Sequence, residues 1–190
     1  YSCWPMSDKP VRTQIETEAG RLEFQHYFVR DRCEHVVKSI HFVSSSVAYP
    51  THDLLRYLED PDLCGIIVCP SNPFLSVDPI LSVRGLKEAL IGSKIPIVAI
   101  SPLINGQAVK GPTAKIMKEL RLVLSPVSVA AHYKDFINGF ILDETDAGHA
   151  AEITKSGISV VTAQTLMASL DDRINLAQTA VNLCDKLRGH

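Results

Sequence analysis

Hydroxyls, an amide and three prolines are gathered in Pro70-Ser71-Asn72-Pro73-Phe74-Leu75-Ser76-Val77-Asp78-Pro79. Such a stretch suits an anion without needing positive charge, because hydroxyls and the backbone N–H groups of a following helix start can donate to it. Prolines also limit the loop's backbone freedom and lower the ordering cost of binding. An ordinary Ser/Pro-rich turn with Ser76 or Asp78 as a helix cap would use the same residues. A second stretch runs from Ser101-Pro102 through Asn105-Gly106 to Lys110-Gly111-Pro112. Its two glycines allow close backbone approach, and Lys110 offers a point charge to a phosphate; a Gly-rich connection with a solvated lysine is the plainer alternative. The third is Pro5-Met6-Ser7-Asp8-Lys9-Pro10-Val11-Arg12-Thr13. There Asp8 has the chemistry to take a proton or bind a metal, and Arg12 to pair with phosphate oxygens, against an Asx-type turn between two strands.

Several standard chemistries lack their signatures. The second stretch matches neither the Walker A phosphate loop nor the dinucleotide fingerprint. No GxSxG elbow signals a Ser-His-Asp hydrolase, and the seven histidines show no HExxH spacing. The five cysteines are odd in number and form no CxxC pair, so free thiols are expected, with Cys64 and Cys69 as small apolar side chains in a buried strand. Asp143-Glu144-Thr145-Asp146 is acidic enough to suggest magnesium, but acids at a helix start are the simpler reading.

The elements that must position these loops follow from periodicity. Residues 11–15 and 21–29 are strand-like and joined through Glu18-Ala19-Gly20, with Leu22, Phe24, His26 and Phe28 alternating onto one face; a β-hairpin near the N-terminus is expected. Residues 36–43 suggest a third strand. From Pro50 the pattern changes to short apolar runs, at 63–68, 95–100, 139–142 and 158–161, separated by helical stretches. Helices are expected at 51–58, 79–90, 112–120, 128–136 and 146–155, and from Asp171 or Asp172 through Leu187. That alternation predicts an α/β fold: a three-layer, Rossmann-like, mostly parallel sheet with helices on both faces. In such a sheet the ligand crevice lies outside the carboxyl ends of the strands, where the first two loops fall.

Composition narrows the partners. The 190 residues are 46% hydrophobic and 21% charged, close to the averages for folded domains. A formal charge of -2 gives no basic field for nucleic acid. No apolar run is long enough to cross a bilayer, so no membrane partner and a cytoplasmic location are expected. We read residues 1–190 as a single α/β domain; Tyr1-Ser2-Cys3-Trp4-Pro5-Met6 reads like the end of a strand already under way, so upstream polypeptide is expected.

Taken together and in order, several segments resemble the 2-phospho-L-lactate transferase family of coenzyme F-420 biosynthesis. They are Pro5-Met6-Ser7-Asp8, Val11-Arg12-Thr13, Phe24-Gln25, Pro70-Ser71-Asn72-Pro73 through Pro79-Ile80-Leu81, Ser101-Pro102, Lys110-Gly111-Pro112, His132-Tyr133 and Thr165-Leu166-Met167. The resemblance covers roughly the C-terminal three-fifths of the family; the family's glycine-rich first strand and the acidic segments after it have no counterpart in this sequence. It implies transfer of a phosphorylated three-carbon acid from a guanylyl diphosphate to the deazaflavin Fo, with release of GMP and assistance from Mg2+. It places Met6, Ser7, Asp8 and Arg12 near the deazaflavin or its ribityl chain. Ser71, Asn72, Pro73 and Ser76, with Lys110, fall near the nucleotide or diphosphate. It assigns no general base and no metal ligand among these residues. A homodimer is expected. The alternatives are a noncatalytic relative binding a nucleotide or sugar conjugate, and an inactive fragment.

Overall fold

In the computed structural model, which describes residues 2–109 and 111–189, the β-rich start of the chain forms an antiparallel sheet of three strands. They are β1 (Arg12–Thr17), β2 (Gly20–Glu23) and β3 (Val37–Val43), in the order β2-β1-β3. Period-2 alternation puts Ile15 inward, opposite Leu22 on one side and Ile40 on the other, and Ile15 is fully buried. The other face is polar: Glu16 Oε2 accepts from Ser39 Oγ and lies 3.0 Å from His41 Nε2. The hairpin turn closes because Thr17 Oγ1 donates to the Gly20 carbonyl at 2.8 Å, with Gly20 at a φ of 105°.

The second strand is shorter than residues 21–29. It ends at Glu23, and the chain turns into a π-helical turn, His26–Arg30, that buries the ring of Tyr27. Burial of Tyr27 with Lys115 5.8 Å above its ring outweighs the local β-pattern.

This sheet belongs to the first of two units, Tyr1–Asp60 with Asn72–Ser93 and Pro112–Val123; the second is Pro61–Ser71, Lys94–Gly111 and Leu124–His190. The first unit also holds α1 (His52–Leu58), α2 (Asp78–Leu81), α3 (Leu86–Gly92) and α4 (Thr113–Glu119). Thr51 caps α1 as its position suggests, its Oγ1 accepting from Leu54 N. The single helix expected over 79–90 is broken into α2 and α3, because Gly85 adopts a left-handed φ of 82° between them.

The second unit is built on a four-stranded, wholly parallel sheet. Its strands β4 (Ile66–Val68), β5 (Ile97–Ile100), β8 (Gly139–Asp143) and β9 (Ser159–Ala163) stand in the order β4-β5-β8-β9. A small hairpin of β6 (Leu103–Ile104) and β7 (Gln107–Ala108) follows β5. The remaining helices are α5 (Pro126–Tyr133), α6 (Ala150–Thr154) and α7 (Leu170–Arg188). Val98, Ile100 and Ile141 pack against Leu176, Ala180, Leu183 and Cys184 of α7. The alternate residues Ile97, Ala99, Phe140 and Leu142 are buried as well, so both faces of the central strands are covered, as an α/β sheet requires.

β4 lies at the edge of that sheet, and this overturns the expected burial of Cys64 and Cys69, both of which are exposed. The final helix starts one residue before the two candidate aspartates. Ser169 accepts from Asp172 N while Asp172 Oδ2 accepts from Ser169 N at 2.7 Å, a reciprocal capping box. No helix among the described residues is long and apolar enough to cross a membrane.

Candidate functional site

Asp143, the last residue of β8, organises the carboxyl edge of the parallel sheet. Its side chain is buried, and each carboxylate oxygen accepts two hydrogen bonds. Oδ1 receives Thr145 N at 3.0 Å and Thr145 Oγ1 at 2.6 Å; Oδ2 receives Thr165 N and Thr165 Oγ1, both at 3.0 Å. The loop after β8 is thereby tied to the loop after β9. Burial alone would push the Asp143 pKa up, but these donors outweigh it and hold the carboxyl below its ordinary range.

The hairpin after β5 joins the same rim. Asn105 and Gly106 are both left-handed, with φ of 51° and 64°, as a two-residue turn between β6 and β7 needs. Asn105 N donates to Thr145 Oγ1 at 3.0 Å, and Gly106 N to Asp146 Oδ1 at 2.9 Å. Ser101 is buried, its Oγ accepting from Leu103 N, so it shapes the start of the hairpin. Three strand-end loops are therefore fixed to one another before any ligand arrives, the preorganisation that phosphate recognition favours.

The turn after β4 is held by its own side chain. Asn72 caps the π-helical turn Pro73–Val77, its Oδ1 accepting from Phe74 N and Leu75 N at 3.0 Å each. Ser76 N donates to the Asn72 carbonyl at 3.0 Å. The N–H groups that the sequence offers to an anion are thus engaged within the turn itself. Pro73 is buried, Ser71 and Asn72 are half-buried, and Ser76 is exposed.

A family model described as 2-phospho-L-lactate transferase CofD matches residues 1–178. This chain belongs to the CofD family. A relative from Methanosarcina barkeri (strain Fusaro), named 2-phospho-L-lactate transferase, is 36% identical over 183 residues, which is 96% of this chain and 58% of the relative. One of the same name from Methanocaldococcus jannaschii is 32% identical over 187 residues, 96% of this chain and 58% of its own length. A phosphoenolpyruvate transferase from Streptomyces griseus is 29% identical, covering 97% of this chain and 59% of that protein. The chain thus spans a little under three-fifths of the length of these relatives. A crystal structure of a UPF0052-family protein from Bacillus halodurans aligns with a TM-score of 0.57 at 14% identity, over 91% of this chain and 59% of that one, a likeness of fold.

In this CofD chain the residues singled out from sequence fall in distinct places. Met6 and Ser7 are half-buried and Asp8 exposed in the strap before β1, and Ser7 Oγ accepts from Lys9 N at 3.2 Å. The strap is fastened by Thr51 Oγ1, which donates to the Pro5 carbonyl at 3.4 Å, and by Trp4, whose ring lies 5.0 Å from that of Tyr57. Arg12 opens β1, exposed and opposite Val43. Met6, Ser7, Asp8, Arg12, Asn72, Pro73 and Ser76 belong to the first unit and Ser71 to the second. Lys110 lies outside the described residues.

Sequence reasoning missed the hub, Asp143 with Thr145 and Thr165. Asp143 caps the 3-10 turn Glu144–His149, which bears out the helix-start reading of this acidic run. Among the described residues no three His, Cys, Asp or Glu side chains stand close enough to share a metal ion.

Proposed function

We propose that the chain serves transfer of a phospholactyl-type group, from its guanylyl diphosphate to the terminal ribityl hydroxyl of the deazaflavin Fo. In that reaction the hydroxyl oxygen bonds to the phosphorus carrying the three-carbon acid. The bond from that phosphorus to the bridging oxygen breaks, GMP leaves with the electron pair, and the hydroxyl proton passes to water. The observation that carries this reading is the 36% identity across 96% of the chain to a protein named for phospholactate transfer. The position of the hydrogen-bonded rim at the carboxyl ends of parallel strands, the usual ligand edge of an open α/β sheet, supports it.

Within this reading Met6, Ser7, Asp8 and Arg12 are the residues proposed for the acceptor. Ser71, Asn72, Pro73, Ser76 and Lys110 are those proposed for the donor's nucleotide or diphosphate. The rim's task is to hold its loops in fixed positions so that phosphate oxygens meet preset donors. Mg2+ is proposed to neutralise the diphosphate, held chiefly by the diphosphate oxygens and water rather than by a cluster of the described side chains. The five cysteines are all unpaired, which supports a reducing, cytoplasmic setting. A homodimer is proposed as well, and the position of β4 at the edge of the sheet, with Ile67 exposed, supports it.

The test mixes the protein with Fo, Mg2+ and the guanylyl diphosphate of either 2-phospholactate or phosphoenolpyruvate, with mass spectrometry of the products. The deazaflavin phosphodiester and GMP are expected in equal amounts. Their absence with every three-carbon donor tried would remove the transferase reading and leave a binding role.

A further inference from the structure

The segment after β2 combines several uncommon features in a few residues. Phe24 and Phe28 stack with ring centroids 5.3 Å apart and planes 24° from parallel. They meet because the chain is helical from Phe24 through the π-helical turn His26–Arg30, which brings residues four apart side by side. π-helical turns concentrate at functional sites. Beyond its C-cap Asp31, Arg32 and Cys33 are consecutive non-glycine residues in the left-handed region, with φ of 48° and 61°. Strain of that kind persists where the surroundings impose it, often at ligand clamps.

Burial of Tyr27 fixes the orientation of the turn. Its ring is fully buried, and its hydroxyl lies beside the Cys33 thiol. Neighbouring residues on a helical turn diverge, so anchoring Tyr27 turns the next two outward. Phe28 is 40% and Val29 64% exposed. An exposed phenyl ring already stacked on a second one is a half-finished stack.

Charge at the segment is paired internally. Arg30 makes two contacts to Asp31, at 2.6 and 2.8 Å, and His35 lies between the carboxylates of Glu18 and Asp31. The surface therefore offers flat apolar contact with little net field, which suits an uncharged planar ring better than a phosphate.

We propose that the Phe24–Phe28 stack is a platform for a planar fused heteroaromatic ring of a substrate. This rests on the transferase reading, in which two reactants carry such a ring: the deazaflavin acceptor and the guanine of the donor. Stacking on Phe28 extends the existing pair by one layer, with Val29 beside it.

Binding of Fo, followed by its fluorescence anisotropy, and of GDP, followed by calorimetry, is measured for the wild-type chain and for Phe28→Ala, Phe28→Tyr and Val29→Ser. Phe28→Ala is expected to weaken one of the two ligands about tenfold, the range for losing a stacked ring. Phe28→Tyr should restore it, and the circular dichroism of both variants should match the wild type. A loss confined to Fo assigns the platform to the acceptor, and a loss confined to GDP assigns it to the donor. Unchanged binding of both ligands by Phe28→Ala overturns the platform while leaving the transferase reading intact. Failure of the wild-type chain to bind either ligand overturns that reading and the platform with it.

Discussion

Gly65→Ala is expected to destabilise the second unit by about 3 kcal/mol, the upper part of the range for forcing extra volume into a packed interior. A Cβ at this position would lie 2.6 Å from Cys184 Sγ and 2.7 Å from Cys184 Cβ. The second contact is with an atom that no rotamer change can move, so α7 itself must shift away from the sheet. Truncating the neighbour in Gly65→Ala/Cys184→Ala removes the thiol but leaves the Cβ overlap, so recovery should be partial. Gly139 provides the internal comparison. Its added Cβ would meet Leu183 Cδ2 and Val98 Cγ2 at 3.0 Å and Leu187 Cδ1 at 3.1 Å, looser contacts and none with a Cβ, and Gly139→Ala should cost visibly less. Urea unfolding of the three variants measures this, and equal stability of Gly65→Ala and wild type would show that α7 does not sit where it is placed.

Asp143→Ala carries the other large effect, roughly 3 kcal/mol, because it removes the acceptor of four hydrogen bonds and leaves the two donors of buried Thr165 unsatisfied. Activity should fall further than stability, since the loops after β8 and β9 lose their common tie. The wild-type protein also has a defined pH signature. The Asp143 carboxyl titrates lower in the folded chain than in the unfolded one, where an aspartate titrates near pH 3.9. The folded state therefore binds fewer protons, and this contribution to stability is fully present above about pH 4 and is lost as pH falls through the lower folded value. Asp143→Asn cannot gain or lose that proton. The stability difference between wild type and Asp143→Asn should be constant at neutral pH and shrink in acid, and a difference independent of pH down to pH 2 would contradict the assignment.

The core strands were legible in the sequence because a strand buried on both faces is an unbroken apolar run, and residues 95–100 and 139–142 read that way, close to the observed Ile97–Ile100 and Gly139–Asp143. Strand edges were less so. Cys64 and Cys69 flank a similar run, but β4 is an edge, and neighbour order is a property of the whole sheet that no local window contains. Phe24 and Phe28 illustrate a different ambiguity, since a spacing of four places two residues on one face of either a strand or a helix. His26, which the strand reading puts on that same face, falls instead within the π-helical turn.

Within the candidate site, Asn105-Gly106 carried a readable signal, because that pair favours two-residue hairpin turns, yet the flanking strands are two residues each and too short to show alternation. The bond between Asp143 and Thr165 spans 22 positions, and nothing in either residue's neighbourhood announces the other. Asn72 was singled out as a contact for an anion, and its carboxamide oxygen serves the turn; an asparagine before a proline-started helical turn fits both roles equally well.

Isotope-labelled protein titrated with the guanylyl diphosphate of 2-phospholactate, with backbone amide shifts followed by NMR, reports most directly on whether the strand-end rim receives the donor. Shifts concentrated at Ser71, Asn105, Gly106, Thr145 and Thr165, and lost in Asp143→Asn, are the predicted result. Saturable binding that leaves these five amides unmoved would contradict it.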